Sequence, residues 1–216
     1  MTQTVGIIDY GVGNLRSVIS AFETVEARAV VLTDPSELSA YDILVLPGVG
    51  AFRAAMDQLV DRGFQAPLNH AVASGETSLL GIRVGMQLLA SHGEEGGAAP
   101  GLGYIPGAVR RFATPKLATG GLKIPHVGFN EARLTGSSDL FDGLGEAADF
   151  YFTHSYRMVC DDPDHMVACC MHGETFATVI RRGNVVGAQF HPEKSQTNGL
   201  RFLKNFLAIA QCPRNV

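Results

Sequence analysis

The sequence predicts an α/β fold built on a doubly wound, mostly parallel sheet, and three features of its first half indicate this. Short apolar, β-branched runs at residues 5–9, 29–32 and 43–46 have the composition of central parallel strands. Residues 14–26, between the first two runs, carry apolar side chains at helical spacing. Strands that alternate with helices in this way are typical of a doubly wound sheet.

The connections in this half carry recognisable helix signals. Asn14 stands where the N-cap of the first helix is expected. A short helix is predicted after Asp34, because Pro35 occupies its first turn. Residues 51–74 predict one or two helices, with interruptions near Gly63 and Pro67.

Residues 79–90 have the pattern of a strand, a sharp turn and a helix. An apolar run leads into a turn flanked by Gly81 and Gly85, and residues 86–90 are expected to open a helix. This geometry holds the residue between the glycines at the carboxyl edge of the sheet, next to a helix N-terminus, where a thiolate or an oxyanion is favoured. The residue here is Arg83, a permanent cation that cannot attack a carbonyl group.

After residue 97 the pattern changes to frequent turn residues and short alternating strands. The predicted strands are residues 108–112, 150–154, 166–171, 176–181 and 185–189. Residues 182–184 suit a tight hairpin loop, and residues 200–207 a final amphipathic helix. Since no linker separates the halves, we expect these strands to extend the same sheet antiparallel, within a single domain over residues 1–216.

Composition excludes several classes of protein. The 216 residues are 46% hydrophobic, which is enough for a full core. Only 18% are charged and the net charge is −4, so no broad basic surface is expected for nucleic acid. The first residues read as a strand and not as a signal peptide, and no apolar stretch is long enough to cross a membrane.

The cysteines and glycines give no sign of a metal or a cofactor. The four cysteines, Cys160, Cys169, Cys170 and Cys212, lack the spacing of a disulfide framework, so a reduced, cytoplasmic protein is expected. Adjacent side chains in an alternating strand point to opposite faces, which argues against a metal site around residues 169–172. Gly11 and Gly13 lack the third glycine of a dinucleotide-binding motif, because that position is Arg16.

Seven blocks of sequence resemble the class I glutamine amidotransferases and occur in that family's order. They cover residues 9–14, 46–52, 81–87, 103–107, 123–130, 151–156 and 189–195. The resemblance is greatest to the glutaminase subunits of imidazole glycerol phosphate synthases, which act in histidine biosynthesis together with a TIM-barrel cyclase subunit. It implies the sheet of the class I glutaminase, flavodoxin-like type. Two positions depart from the pattern, with Arg83 in place of the catalytic cysteine and Phe129 in place of a partner-facing tryptophan.

The resemblance also implies roles for particular residues. His191 corresponds to the general base and Glu193 to the carboxylate that orients it, with Pro192 expected to keep the segment extended. The other implied sites are the oxyanion loop, the glutamine pocket and the face toward the cyclase. They comprise Gly50 and Val84; Gln87, His154, Ser155 and Tyr156; and Asn14, Lys123, Pro125, His126, Phe129 and Asn130, respectively.

Several of these residues also have a plainer interpretation. His191 could be a surface histidine, Gly50 part of a turn that ends a strand, and His154 a hydrogen-bonded core histidine. The partner-facing segments could be ordinary tight turns.

Arg83 has two interpretations of its own. A bidentate ion pair with Glu193 would depress the pKa of that carboxylate and leave His191 without its orienting group. Alternatively, the Arg83 side chain turns out to solvent and leaves an empty pocket. Neither arrangement supplies an attacking atom.

Three hypotheses of function follow. The first is a non-hydrolytic glutaminase-type subunit that docks on a cyclase, and the second is an ordinary synthase subunit with a lesion at Arg83. The third is a binding module in which Arg83 captures a carboxylate or phosphate. A homologous subunit of a surface-sugar pathway is a further alternative on family grounds.

Overall fold

The computed structural model describes residues 2–113 and 123–211, and all elements below lie within these ranges. Thirteen strands are found there, namely β1 (Thr4–Ile8), β2 (Arg28–Leu32), β3 (Ile43–Gly48), β4 (Ser78–Arg83), β5 (His92–Gly93), β6 (Ala99–Pro100), β7 (Gly107–Arg111), β8 (His126–Leu134), β9 (Ala147–His154), β10 (Tyr156–Cys160), β11 (Met166–His172), β12 (Glu174–Arg182) and β13 (Val185–Ala188). The α-helices are α1 (Leu15–Thr24), α2 (Phe52–Asp61), α3 (Gln65–Ala73), α4 (Val84–Leu88) and α5 (Gln196–Gln211).

The main sheet has the strand order β2-β1-β3-β4-β13-β12-β11-β8-β9. Neighbours from β2 to β13 are parallel, and neighbours from β13 to β9 are antiparallel. The predicted architecture, a doubly wound parallel sheet extended by antiparallel strands, is therefore confirmed. The hairpin loop is also confirmed, since β12 and β13 are joined by Gly183 and Asn184 alone.

A second, smaller sheet departs from the prediction. Its order is β10-β7-β5-β6, with β7 and β10 paired antiparallel. The prediction that the strand at residues 108–112 joins the main sheet is wrong, because β7 pairs with strands of this second sheet. Strands β8 and β10 are not anticipated by the sequence pattern at all.

Two details of the first half also differ from the prediction. The Asn14 side chain donates to Ser17 Oγ at 3.0 Å and makes no capping bond to the backbone, although α1 does begin at the next residue. Gly63 lies between α2 and α3, but Pro67 is the third residue of α3 and does not interrupt it. In the first turn of a helix, backbone N–H groups have no hydrogen-bond partner within the helix. Proline, which lacks this N–H, is therefore tolerated at residue 67.

The side chains of the main sheet form hydrophobic cores on both of its faces. Along β3, Ile43 and Val45 enter the core that α1 and α5 cover. Leu44 and Leu46 enter the core that α2 and α3 cover. This alternation explains why β3 reads as a continuous apolar run, since a parallel strand with helices on both faces has no solvent-facing side.

In the described part of the chain, no α-helix combines the length and the apolar composition that a bilayer crossing requires. Cys160, Cys169 and Cys170 have free thiols, and Cys169 is half-buried where its neighbour Cys170 is buried. Cys212 lies outside the described residues.

Candidate active site

Arg83 occupies a strained turn between a buried strand and a short helix. Strand β4 lies between β3 and β13 in the parallel part of the sheet and ends at Arg83. The backbone of Arg83 has φ +59° and ψ −115°, a region that side-chain-bearing residues rarely adopt. Helix α4 begins at Val84, two residues earlier than predicted, and is only five residues long. The helix N-terminus was expected to favour negative charge at residue 83. Because α4 has little more than one turn, this electrostatic effect is small.

Glycines allow the backbones around this turn to cross in close contact. A Cβ atom on Gly85 would lie 1.8 Å from the carbonyl oxygen of Leu46. A Cβ atom on Gly81 would lie 2.6 Å from the carbonyl oxygen of Gly85. Both separations are far below van der Waals contact, so the turn requires glycine on each side of Arg83.

His191 and Glu193 form a buried pair. His191 Nδ1 lies 2.7 Å from Glu193 Oε1, and the two side chains are 5% and 4% exposed. The prediction of an extended segment is wrong, because Pro192–Lys194 is a single 3-10 turn that begins directly after His191. The turn nevertheless brings the carboxylate to the imidazole, as the roles of base and orienting group require.

The His191 main chain is fixed to strand β9. Its N–H donates to the Tyr151 carbonyl at 2.9 Å. Ser195 Oγ donates to the His191 carbonyl at 2.6 Å and accepts from the Tyr151 N–H at 2.9 Å. From the sequence alone Ser195 has no assigned role, although it lies in the same block as His191, residues 189–195. Burial lowers the pKa of His191, and the hydrogen bond that its ring donates to Glu193 partly opposes that effect.

Arg83 does not pair with Glu193, which corrects the prediction of a bidentate ion pair. Among the described residues, none of the ion pairs within 4.0 Å includes Arg83, and Glu193 Oε1 contacts His191 instead. Glu193 Oε2 is buried without a hydrogen-bond partner in the same part of the chain. Burial lowers the pKa of Arg83, and the charge of Glu193 partly offsets this. The guanidinium stays charged at neutral pH.

A cavity of about 360 Å³ adjoins Arg83. It brings together all the residues predicted for the oxyanion loop and the glutamine pocket. Four further lining residues, Ala51, Glu95, Pro125 and Thr153, were not predicted for the glutamine pocket. Its lining comprises Gly50, Ala51, Arg83, Val84, Gln87, Glu95, Pro125, Thr153, His154, Ser155 and Tyr156. Because Arg83 is half-buried at this wall, its side chain is not turned out to solvent. Glu193 lines a different cavity, between α1 and α5.

Gln87 is held at the base of the cavity by two hydrogen bonds from its amide nitrogen. Nε2 donates to the Tyr156 carbonyl at 3.2 Å and to Gln189 Oε1 at 3.0 Å. Gln87 Oε1 is buried and has no partner among the described residues. A buried acceptor without a partner is costly, so a donor that reached this oxygen would stabilise the site.

Glu95 is a cavity residue that the sequence pattern does not reveal. It lies in a Glu-Glu-Gly-Gly segment that reads as a solvated turn. In the structure it is half-buried, and its Oε2 accepts from the Phe52 N–H at 3.3 Å. Burial raises the pKa of this carboxyl group. A cationic ligand group beside it would oppose that shift.

His126 and His154 form a hydrogen-bonded chain that begins at the cavity wall, where His154 lies. His154 Nδ1 donates to the Tyr156 carbonyl at 2.8 Å, so its other ring nitrogen, Nε2, accepts from His126 Nδ1 at 3.1 Å. His126 Nε2 in turn accepts from Asn130 Nδ2 at 3.2 Å. His126 is 4% exposed. The prediction that it faces a partner is therefore wrong, because its position on β8 directs the side chain inward.

These two histidines predict a loss of stability in mild acid. Burial is the main cause that lowers the pKa of His126 to about 4 and that of His154 to about 3. In the unfolded chain both titrate near 6.5, so between about pH 6.5 and 4 the unfolded state binds more protons. The free energy of unfolding should therefore fall as pH drops through that window, by on the order of 1 kcal/mol or more.

Urea unfolding at pH 7 and pH 5 measures this effect. The variant His126→Asn, which has no titrating ring, should show a smaller difference between the two conditions. A difference equal to that of the unaltered protein would contradict the role of His126.

The remaining residues predicted to face a partner lie directly before α1, in the segment before β8, and on β8 itself. Lys123, Pro125 and Asn14 are exposed. The segment from residue 126 onward is strand β8, so its interpretation as a turn is wrong. Phe129 is 51% exposed on that strand. The Asn130 side chain is committed to His126 and to the Met171 carbonyl, at 3.2 Å each.

Within residues 2–113 and 123–211, no group of three or more His, Cys, Asp or Glu side chains is arranged to hold a metal ion.

A strained residue at the end of a parallel strand, next to a buried His–Glu pair and a polar cavity, is the arrangement that defines a glutamine amidotransferase of class I. The family model for glutamine amidotransferase class-I matches residues 6–210, and the chain belongs to that family. Solved structures show the same fold. The PurLQS structure from Thermotoga maritima has a TM-score of 0.74 at 16% identity, over 98% of this chain and 100% of that one. A glutamine amidotransferase from the same organism has a TM-score of 0.59 at 18% identity, over 97% and 84%.

Curated relatives are far more similar in sequence. The chain is 46% identical over 204 residues to the imidazole glycerol phosphate synthase subunit HisH of Salinibacter ruber, covering 94% of this chain and 93% of the relative. It is 48% identical over 201 residues to the HisH subunit of Syntrophotalea carbinolica, covering 93% and 97%. The HisH subunit of Geobacter sulfurreducens is 45% identical over 204 residues, covering 94% and 97%.

Proposed function

We propose that this chain is the glutamine amidotransferase-type subunit of an imidazole glycerol phosphate synthase, that it docks on a TIM-barrel cyclase, and that it does not hydrolyse glutamine. The similarity to HisH subunits over nearly the whole chain supports the assignment to histidine biosynthesis. One observation carries the proposed loss of hydrolysis. Arg83 stands at the strained elbow beside the His191–Glu193 pair, where an attacking atom is required.

Covalent hydrolysis of an amide needs a nucleophile that forms an acyl-enzyme and a base that takes its proton. His191 and Glu193 are placed to serve as base and orienting group, and Gly50 and Val84 line the cavity where an oxyanion would form. The Arg83 guanidinium has no lone pair available for attack at neutral pH. Its positive charge also lowers the pKa of His191, which makes that imidazole a weaker base.

Exposed apolar side chains on neighbouring outer strands form the surface proposed to meet the cyclase. We call Val127, Phe129 and Met171 the outer-strand patch, and these side chains are 56%, 51% and 63% exposed. Apolar and aromatic residues of this kind are typical of the centre of an interface. The patch is connected to the site, because the Phe129 ring packs against Tyr151 at 5.5 Å and Tyr151 packs against His191 at 5.8 Å, between ring centroids.

The proposal is tested by mixing the purified chain with its cyclase and supplying either glutamine or ammonium as the nitrogen source. We expect a stable complex on size-exclusion chromatography and product formation with ammonium. With glutamine, no product should form above the level of the cyclase alone. Glutamine-dependent turnover by the unaltered complex would contradict the loss of hydrolysis, and failure to form any complex would contradict the docking.

Phe129→Ser should weaken the complex by about tenfold or more, since truncating a central aromatic residue of an interface typically costs over 1 kcal/mol. Isothermal titration calorimetry with the cyclase measures this change. Val60→Ser is the matched control, because Val60 is 48% exposed on α2, away from the outer-strand patch. Equal losses in both variants would argue against docking through the patch.

A second candidate function, non-catalytic binding of a carboxylate-bearing molecule, is favoured by one observation. Arg83 lines an open cavity, and no described carboxylate lies within 4.0 Å of it.

A further inference from the structure

The cavity beside Arg83 retains the space that a small amino acid needs. Its volume of about 360 Å³ lies within the range of small-molecule sites, and the arginine side chain has not filled it. In amide hydrolysis of this type the elbow residue must contact the side-chain amide carbon of the substrate. The side-chain end of an amino acid bound in this cavity therefore lies against residue 83, which here is a guanidinium.

Arg83 is a partly desolvated cation that forms no ion pair within 4.0 Å among the described residues. The nearest buried carboxylate, Glu193, uses Oε1 to contact His191. Burial lowers the pKa of Arg83 and the charge of Glu193 only partly offsets this, as expected of a charge that has lost water without gaining a close ion pair. An anionic group in the cavity would supply that partner, and guanidinium binds a carboxylate through two parallel hydrogen bonds.

Two other groups of the same cavity suit an ammonium group. Glu95 is half-buried, with one carboxylate oxygen on the Phe52 N–H, and it makes no ion pair with Arg83. Gln87 Oε1 is a buried acceptor with no partner in the described ranges. A carboxylate and an unpartnered amide oxygen are the groups that an α-ammonium requires.

We propose that this cavity binds L-glutamate in preference to L-glutamine, with the side-chain carboxylate on Arg83 and the α-ammonium on Glu95 and Gln87. The inference rests on the proposed function in one respect, that the amino-acid pocket of the family is retained. Glutamine is disfavoured because its side-chain NH₂ would face the donors of Arg83, and its neutral carbonyl provides only one uncharged acceptor. The exchange at residue 83 thus converts a glutamine site into a glutamate site.

Calorimetric titration of the intact chain with L-glutamate and with L-glutamine tests the inference. We expect L-glutamate to bind at least about tenfold more tightly, the usual margin of a charge-assisted pair over a neutral one. Arg83→Gln should remove the preference, because the side chain becomes neutral. Glu95→Gln should weaken the binding of both amino acids by similar factors, since both carry the same ammonium group.

Arg133→Gln is the control for loss of one positive charge, because Arg133 forms an exposed ion pair with Glu131. It should leave both affinities unchanged, and circular dichroism of each variant checks that it is folded. Tighter or equal binding of L-glutamine would overturn the inference, as would the absence of saturable L-glutamate binding or a preference that survives Arg83→Gln. Formation of the cyclase complex is measured in a separate experiment. Failure of the glutamate preference can therefore be distinguished from failure of the proposed function.

Discussion

Replacing Arg83 by cysteine is expected to raise glutamine hydrolysis in the cyclase complex by at least about three orders of magnitude, since loss of a nucleophile costs up to about 10⁶ in kcat. The turn at residue 83, the His191–Glu193 contact and the cavity are all present in the protein with arginine. A thiol at this position would adjoin the imidazole, which can take its proton. Release of ammonia from L-glutamine is the measurement.

Two further variants at residue 83 distinguish the effect of supplying a nucleophile from the effect of removing the bulk and charge of arginine. Arg83→Ala removes the bulk and the charge without supplying a nucleophile, so its rate should stay at the level of the unaltered protein. Arg83→Ser supplies a hydroxyl group, which is a weaker nucleophile than a thiol, and its gain should be much smaller than that of Arg83→Cys. If Arg83→Cys is folded, binds the cyclase and still fails to hydrolyse glutamine, more than the nucleophile is missing.

Gly85→Ala is expected to lower the free energy of unfolding by about 3 kcal/mol, at the upper end of overpacking effects. The new Cβ would lie 1.8 Å from the Leu46 carbonyl oxygen. That neighbour is backbone in the centre of the sheet, so it cannot move aside as a flexible side chain would. Urea unfolding followed by circular dichroism gives the change in stability.

Gly136→Ala is the control for this substitution. Gly136 is exposed, and an added Cβ would meet nothing within 4 Å. Its unfolding free energy should change by no more than about 0.5 kcal/mol. A similar loss in both variants would mean that the crossing at Gly85 relaxes easily, contrary to the packing described above.

The parallel half of the fold could be predicted because its signals are local. Strand β3 is apolar on both faces, and helix α1 has a clear helical period, so each reveals its own structure. Strand β8 could not be predicted in the same way. Its sequence contains Gly128 and polar Asn130, and it follows Pro125, so it reads as a turn until its pairing with β9 is known. The second sheet likewise depends on contacts between strands far apart in sequence.

The sequence predicted which residues form the candidate site better than it predicted the contacts between them. Motif order brought Arg83, Gln87 and Ser155 to one cavity, as the structure places them. The expected Arg83–Glu193 pair failed because His191 competes for the same carboxylate, and only the 3-10 turn after His191 decides the outcome. Glu95 was not predicted to belong to the site, because a charged residue in a glycine-rich loop is part of no periodic pattern.

The positive φ at residue 83 bears on how this chain changes by mutation. Such a conformation costs about 1–3 kcal/mol, and the crossing of the Gly81, Gly85 and Leu46 backbones imposes it whatever side chain residue 83 carries. Selection for a folded subunit alone is therefore enough to preserve the geometry of this turn, with or without a nucleophile at residue 83. Under the proposed function, a single exchange at residue 83 is then enough to restore glutamine hydrolysis for as long as selection maintains the fold.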